Sequence, residues 1–201
     1  MGQIVIDKDV GGFEGLFVII PQIHGDDRGY FMEVYNGRDM ANAGLDIRFV
    51  QDNQSFSTRG VLRGLHFQKH YPQTKLVRVL RGEIYDVVLD LREGSKTYGK
   101  WHGELLSAEN RKQFLIPRGF AHGFLVLSEA AEILYKCDDY YHPNDEGGIA
   151  WNDPQNGIVW PGLEGEYRGS PDAAGYTVNG APLVLSEKDQ KWPGFRDAFK
   201  F

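Results

Sequence analysis

The stretch KLVRVLRGEIYDVVLDLREG, residues 75–94, decides the fold class of this chain. Val77 and Val79 alternate with Arg78, a turn follows at Arg81-Gly82, and Tyr85, Val87 and Leu89 then alternate with Asp86 and Asp90. A period of two is the mark of a strand with one covered and one wet face, because successive side chains point to opposite sides. Two such runs joined at a glycine predict a β-hairpin. KWHGELL, QFLIP, GFLVLS and EILYKCDDYY add strands at short intervals, with breaks at Gly94-Ser95, 107–110, Pro117 and Ser128. The chain holds 25 glycines in 201 residues, above the usual ~7 %, and they fall between these runs, as an all-β fold with many turns requires. Helix is scarce: Asn36 to Leu45 predicts one short helix, and Ser186-Glu187-Lys188-Asp189 predicts a second start. PGLEGEYRGSPDAAGYTVNGAP, 161–182, has little periodicity and is expected to be a long surface loop.

Bulk properties narrow the function. At 201 residues the expectation is one domain, 1–201, with a sizeable core. Lys+Arg 22 against Asp+Glu 28 leaves a net charge of −6, which offers no basic footprint for a nucleic acid. An anionic partner therefore has to be small. The single cysteine, Cys137, makes no internal disulfide and fits a reducing compartment. MGQIVIDKDVGG has acidic residues and glycines where a signal peptide needs an apolar core, and no run approaches the ~18 apolar residues of a membrane helix. Position 6 is Ile, so the MG start lacks a myristoylation signal. The expectation is a soluble cytoplasmic protein.

RGVLRGLHFQKH, residues 59–70, sets Arg63 and His66 into a strand-like run, where both are expected to face the interior. Buried polar groups of that kind are costly unless paired or used. IPRGFAHGF, 116–124, contains Pro117-x-Gly119-x-x-His122, which resembles the second cupin signature, in which a proline and glycine aim a histidine into a jelly-roll barrel. Metal cupins supply His-x-His and a Glu in their first signature. Here the corresponding place reads His66-Phe67-Gln68, and Gln68 is a poor donor, so no metal is expected. Read alone, His122 is an interior histidine with a satisfied partner. Two inward histidines with Arg63 and Lys75 nearby point instead to a site.

DDRGYFME, QDNQS, GVLRGLHFQ, SKTYGKW, LSAENRKQFLIPRGFAHGF, LYKCDDYY, WNDP and LSEKD, in this order over about 20–190, resemble the dTDP-4-dehydrorhamnose 3,5-epimerase family. The resemblance implies an all-β fold, a jelly roll of the cupin double-stranded β-helix type with a few short helices. It also implies a cofactor-free isomerase acting on dTDP-4-keto-6-deoxyglucose. Two features depart from the pattern: the 161–182 loop is longer, and FQKHYPQT between His66 and Lys75 is one residue shorter, which bears on where Lys75 sits.

Epimerisation beside a ketone needs a base, a partner for the enolate and an acid on the opposite face. The resemblance assigns the base to His66, whose residue type titrates near operating pH, and its orienting carboxylate to Asp189. Ser186-x-x-Asp189 is equally a capping box, and without the family Asp189 reads as a helix cap. Lys75 takes the enolate and Tyr135 the acid; as bare residues they read as a solvated lysine and a core tyrosine. The resemblance also implies substrate binding by Arg28, Glu33, Gln51, Asp52, Asn53, Gln68, His122, Glu146 and Lys188, with Arg63 suited to phosphates. Tyr140, Phe31 and Trp151 are candidates to stack on thymine, and equally core fillers. The partners expected are a dTDP-sugar and a second copy of the chain, with exchanged N-terminal strands covering a β edge. A single-site epimerase, a metal-dependent cupin and a non-catalytic sugar-binding jelly roll are the competing readings.

Overall fold

The computed structural model describes residues 4–201. In chain order the strands are β1 (Ile4–Lys8), β2 (Phe17–Pro21), β3 (Ile23–Asp26), β4 (Gly29–Met32), β5 (Gln51–Thr58), β6 (Leu62–Gln68), β7 (Lys75–Arg81) and β8 (Glu83–Asp90). There follow β9 (Trp101–Ser107), β10 (Gln113–Ile116), β11 (Phe120–Val126), β12 (Ala130–Cys137), β13 (Glu146–Gly148), β14 (Leu163–Glu164), β15 (Thr177–Val178) and β16 (Ala181–Pro182). Eleven of them form two antiparallel sheets, ordered β1-β2-β10-β7-β12-β5 and β13-β6-β11-β8-β9. This is the jelly roll expected, with strands alternating between two facing sheets.

The 75–94 stretch folds as two strands but not as a hairpin. β7 and β8 belong to different sheets, and Gly82 is the corner between them. Its φ of 76° is open to glycine, and a Cβ there would lie 2.0 Å from the Ala130 carbonyl oxygen. The chain turns out of the plane of the first sheet at this point and crosses the sandwich to the second. The presumed wet face of β8 is also corrected: Asp86 and Asp90 lie on the inner face with Ile84 and Val88, and both are fully buried. Val77, Val79, Ile84, Val88, Phe114 and Phe124 belong to the core between the sheets.

Each sheet has its outer face covered as well. On the first sheet α1 (Gly37–Asn42) and the turn after it lay Met40 and Leu45 over Ile19, Leu76 and Leu115. The helix starts where expected because the Asn36 side chain accepts from the Arg38 and Asp39 amides, and it ends three residues early at a turn through Gly44. On the second sheet Val87 and Leu89 pack under Trp151, Trp160 and Tyr176. The 161–182 segment is therefore more than the surface loop expected. It contains the small sheet β14-β15-β16, and Trp151 Nε1 donates to the Pro171 carbonyl at 2.7 Å. Aromatic residues in a Gly-rich stretch carry no period, so this roof is hidden from sequence patterning.

Candidate active site

At the end of the sandwich where β7 starts and β6 and β12 end, a cavity of about 350 Å³ opens between the sheets. His66 and Gln68 enter it from β6, whose alternate residues Leu65 and Phe67 pack under the outer roof. His122 enters from β11, directly opposite His66 in the ladder. From the facing sheet come Lys75 on β7, Tyr135 on β12 and Gln51 and Asn53 on β5. The histidines and the tyrosine thus stand on opposite walls of one space. The short FQKHYPQT segment leaves Lys75 in the cavity with His66.

Two carboxylates anchor the histidines. Asp189, 2 % exposed, hydrogen-bonds through Oδ1 to His66 Nε2. The capping half of the SEKD motif is made by Ser186, whose Oγ accepts from the Asp189 amide at 3.1 Å, so one motif does both jobs. Burial pushes the Asp189 carboxyl up, but hydrogen bonds with His66, Ser186 and Trp192 outweigh it and hold it below the usual carboxylate value. His122 Nε2 lies 2.8 and 3.0 Å from the two oxygens of Asp86. Burial pushes the Asp86 carboxyl up, against the pull of His122 and Lys75.

Sequence reasoning missed Asp86. Its signal was present, an Asp in register with Ile84 and Val88, but alternation does not say which face is inside. Tyr141, Ile116, Phe120 and Phe201 also line the cavity unforeseen. Burial lowers the proton affinity of Lys75, with Cys137, Asp86 and Glu146 pulling it back. Burial raises that of the Tyr135 phenol, which stays protonated and able to donate.

The remaining expected residues divide. Glu146 lines the cavity and pairs with Lys188 at 2.7 Å. Gln68 lines it too, but its amide is taken up by the rim: it donates to the Tyr71 and Tyr140 carbonyls and accepts from the His142 amide. Asp52 lies on the outer face of β5, paired with Lys136 at 3.0 Å and away from the cavity. Its neighbours Gln51 and Asn53 point the other way, as a strand dictates.

Arg63 is exposed rather than interior. β6 carries one extra residue against β11 between the pairs His66–His122 and Arg63–Phe124. That bulge puts Arg63 on the same side as His66, at the open edge, where it donates to Ser57 Oγ at 3.1 and 3.2 Å. Arg28 is 90 % exposed on the β3–β4 hairpin and pairs with Asp26, and Glu33 accepts from Asn36 at 2.8 Å. Neither lines the cavity. Trp151 is fully buried in the core and is excluded from base stacking, whereas Phe31 and Tyr140 are exposed. Among the described residues no three His, Cys, Asp or Glu side chains converge as metal ligands, and no helix is long and apolar enough to cross a membrane.

Comparison with known proteins gives concordant results. The model of the dTDP-4-dehydrorhamnose 3,5-epimerase family matches residues 12–197. The dTDP-4-dehydrorhamnose 3,5-epimerase of Methanothermobacter thermautotrophicus is 52 % identical over 184 residues, covering 92 % of this chain and 91 % of that protein. That of Pseudomonas aeruginosa is 52 % identical, covering 89 % and 90 %. Among solved structures, the dTDP-6-deoxy-D-glucose-3,5-epimerase of Legionella pneumophila, in complex with dTDP-4-keto-L-rhamnose, superposes with a TM-score of 0.84 at 42 % identity, covering 98 % of each chain.

Proposed function

The chain belongs to the dTDP-4-dehydrorhamnose 3,5-epimerase family, and from that premise we propose that its cavity epimerises dTDP-4-keto-6-deoxyglucose at C3 and C5 with His66 as the base and Tyr135 as the acid. The observation carrying this reading is that the two side chains enter one cavity from opposite sheets, with Lys75 beside them. His66 takes the proton from the carbon next to the ketone, and the electron pair moves to the C4 oxygen as an enolate. The Lys75 ammonium meets that developing charge, which counts for more in a buried site than in water. Tyr135 returns a proton from the other face, inverting the carbon, and recovers its own from solvent. Asp189 fixes the imidazole orientation, and His122 with Asp86 holds the sugar hydroxyls.

Lys188 at the cavity mouth and Arg63 at the open edge suit the phosphates, and the Glu146 carboxylate suits a hydrogen-bond donor of the nucleotide. We propose a homodimer, supported by Tyr30 and Phe31, 58 % and 69 % exposed on the hairpin that carries Arg28. Arg28 and Glu33 would then serve the cavity of the partner. A free, buried Cys137 suits a reducing compartment, the cytoplasm.

The test is incubation with dTDP-4-keto-6-deoxyglucose in D2O, following deuterium at C3 and C5 by NMR. Label at both carbons is expected, and its loss at both in His66→Ala. Label at one carbon favours a single-site epimerase, and label at neither overturns the reading. Sedimentation at twice the 22.7 kDa chain mass is expected for the dimer.

A further inference from the structure

The His66–Asp189 pair has a third member that the reaction scheme does not use. Asp189 opens a single 3-10 turn, Asp189–Lys191, and in such a turn side chains three apart eclipse one another. Trp192 therefore follows on the side of Asp189. Its Nε1–H donates to Asp189 Oδ1 at 3.1 Å, the same oxygen that meets His66 Nε2. The indole stands edge-on to the imidazole, with ring centroids 6.0 Å apart and planes at 70°.

The seat of the indole is built for it. Gly148 lies opposite His66 in the β13–β6 ladder. A Cβ at that position would lie 2.3 Å from indole Cδ2, so the strand beside the base has room for the ring only because residue 148 has no side chain. The next residue, Pro193, accepts from the Ala150 amide at 2.8 Å and ties the segment down. Lys188 Nζ stands 6.0 Å from the ring centroid.

We infer that Trp192 is a positioning residue for the base: its indole N–H holds the Asp189 carboxylate in register with His66 and takes up part of its negative charge. Two donors on one oxygen each receive less of that charge than one donor alone. The carboxylate then orients the imidazole without binding its proton so tightly that the proton cannot pass on. The other titratable groups on the cavity facing His66 are His122 with Asp86 on the same sheet, Glu146 with Lys188 at the mouth, Tyr141 at the rim, and Lys75 and Tyr135 across the gap. None of these shares the Asp189 oxygen.

The inference rests on His66 being the base, and the experiment separates the two. Trp192→Phe keeps an aromatic ring and removes the N–H, while Gly148→Ala keeps the N–H and displaces the indole. Each is expected to move the acid limb of the pH dependence of kcat/KM upward by roughly half a pH unit, with KM within about twofold, since the undivided carboxylate retains the imidazole proton to higher pH. A Trp192→Phe profile superimposable on the wild type, or shifted downward, overturns the inference. Should His66→Ala retain exchange at C3 and C5, the base assignment fails instead, whatever the tryptophan variant does.

Discussion

Replacing Asp86 by asparagine probes the inner end of the site, where function is expected to fall much further than stability. Asp86 is fully buried, with both oxygens within 3.0 Å of His122 Nε2. Asparagine keeps an acceptor for His122 and loses the charge. A hydrogen bond to an ionised group contributes ~1.5–3 kcal/mol and a neutral one ~0.5–1.5 kcal/mol, so the exchange removes about 1–1.5 kcal/mol. Lys75 also loses one of the neighbours that help it keep its proton. Where that hydrogen-bond loss falls on the hold of His122 on the sugar in the transition state, ~1.4 kcal/mol per tenfold puts the fall in kcat at neutral pH at about 5- to 10-fold.

Stability should respond differently. Burial raises the Asp86 carboxyl above its ordinary value of 3.8, so the folded chain binds that proton more tightly than the unfolded chain. The folded state is favoured below the unfolded value, and this advantage is lost as pH rises through the folded value. An amide has no such cost at pH 7, which offsets the weakened hydrogen bond to His122, so the Tm of Asp86→Asn should stay within a few degrees of the wild type. Deuterium exchange at C3 and C5 and scanning calorimetry on the same preparation read both effects. Unchanged exchange would refute the reasoning, and so would a loss of activity matched by a fall in Tm, since the carboxylate would then be a structural prop.

Tyr135→Phe should preserve proton removal while slowing its return by about 10²-fold or more, seen as wash-out of label without net inversion; full turnover would remove the phenol from the scheme. Gly82→Ala should cost about 1–3 kcal/mol by urea unfolding, because a Cβ at φ 76° meets the Ala130 carbonyl; an unshifted midpoint would show that the corner can relax. Asp90 is buried, but bonds from Arg92, Ser95 and Thr97 overcome the upward push of burial and hold its carboxyl below 3.8. Its stabilisation should be present above that value and fade as pH falls through the folded one. The stability gap between wild type and Asp90→Asn, measured in urea at pH 7 and again near pH 2, should shrink at the lower pH; a constant gap would deny the ionic origin.

Much of the site was legible because it rides on strands. Alternation in QDN points Gln51 and Asn53 the same way, and the proline and glycine before His122 mark the entry of β11. Other placements were not, or could not be, read from local order. Asp52 was grouped with its neighbours by motif, yet a strand sends it to the opposite face. Arg63 shares a side with His66 only through a bulge, and bulges depend on the partner strand. Arg28 and Glu33 carry the family pattern on a hairpin and turn outside the cavity of a single chain.

The amino-acid order alone determined that the chain is all-β, where β6 to β12 lie, and which residue types could run a proton transfer. Those are local properties, since side-chain period and turn preference are set within a few residues. Only the tertiary structure decided that β7 and β8 part at Gly82 into different sheets, that the aspartates of β8 face inward, and that Asp189 reaches His66 across 123 residues of chain. A strand with period two has two candidate inner faces. Which one becomes the interior depends on what remote segments cover the other, and here residues from 149 onward roof the outer face of the second sheet.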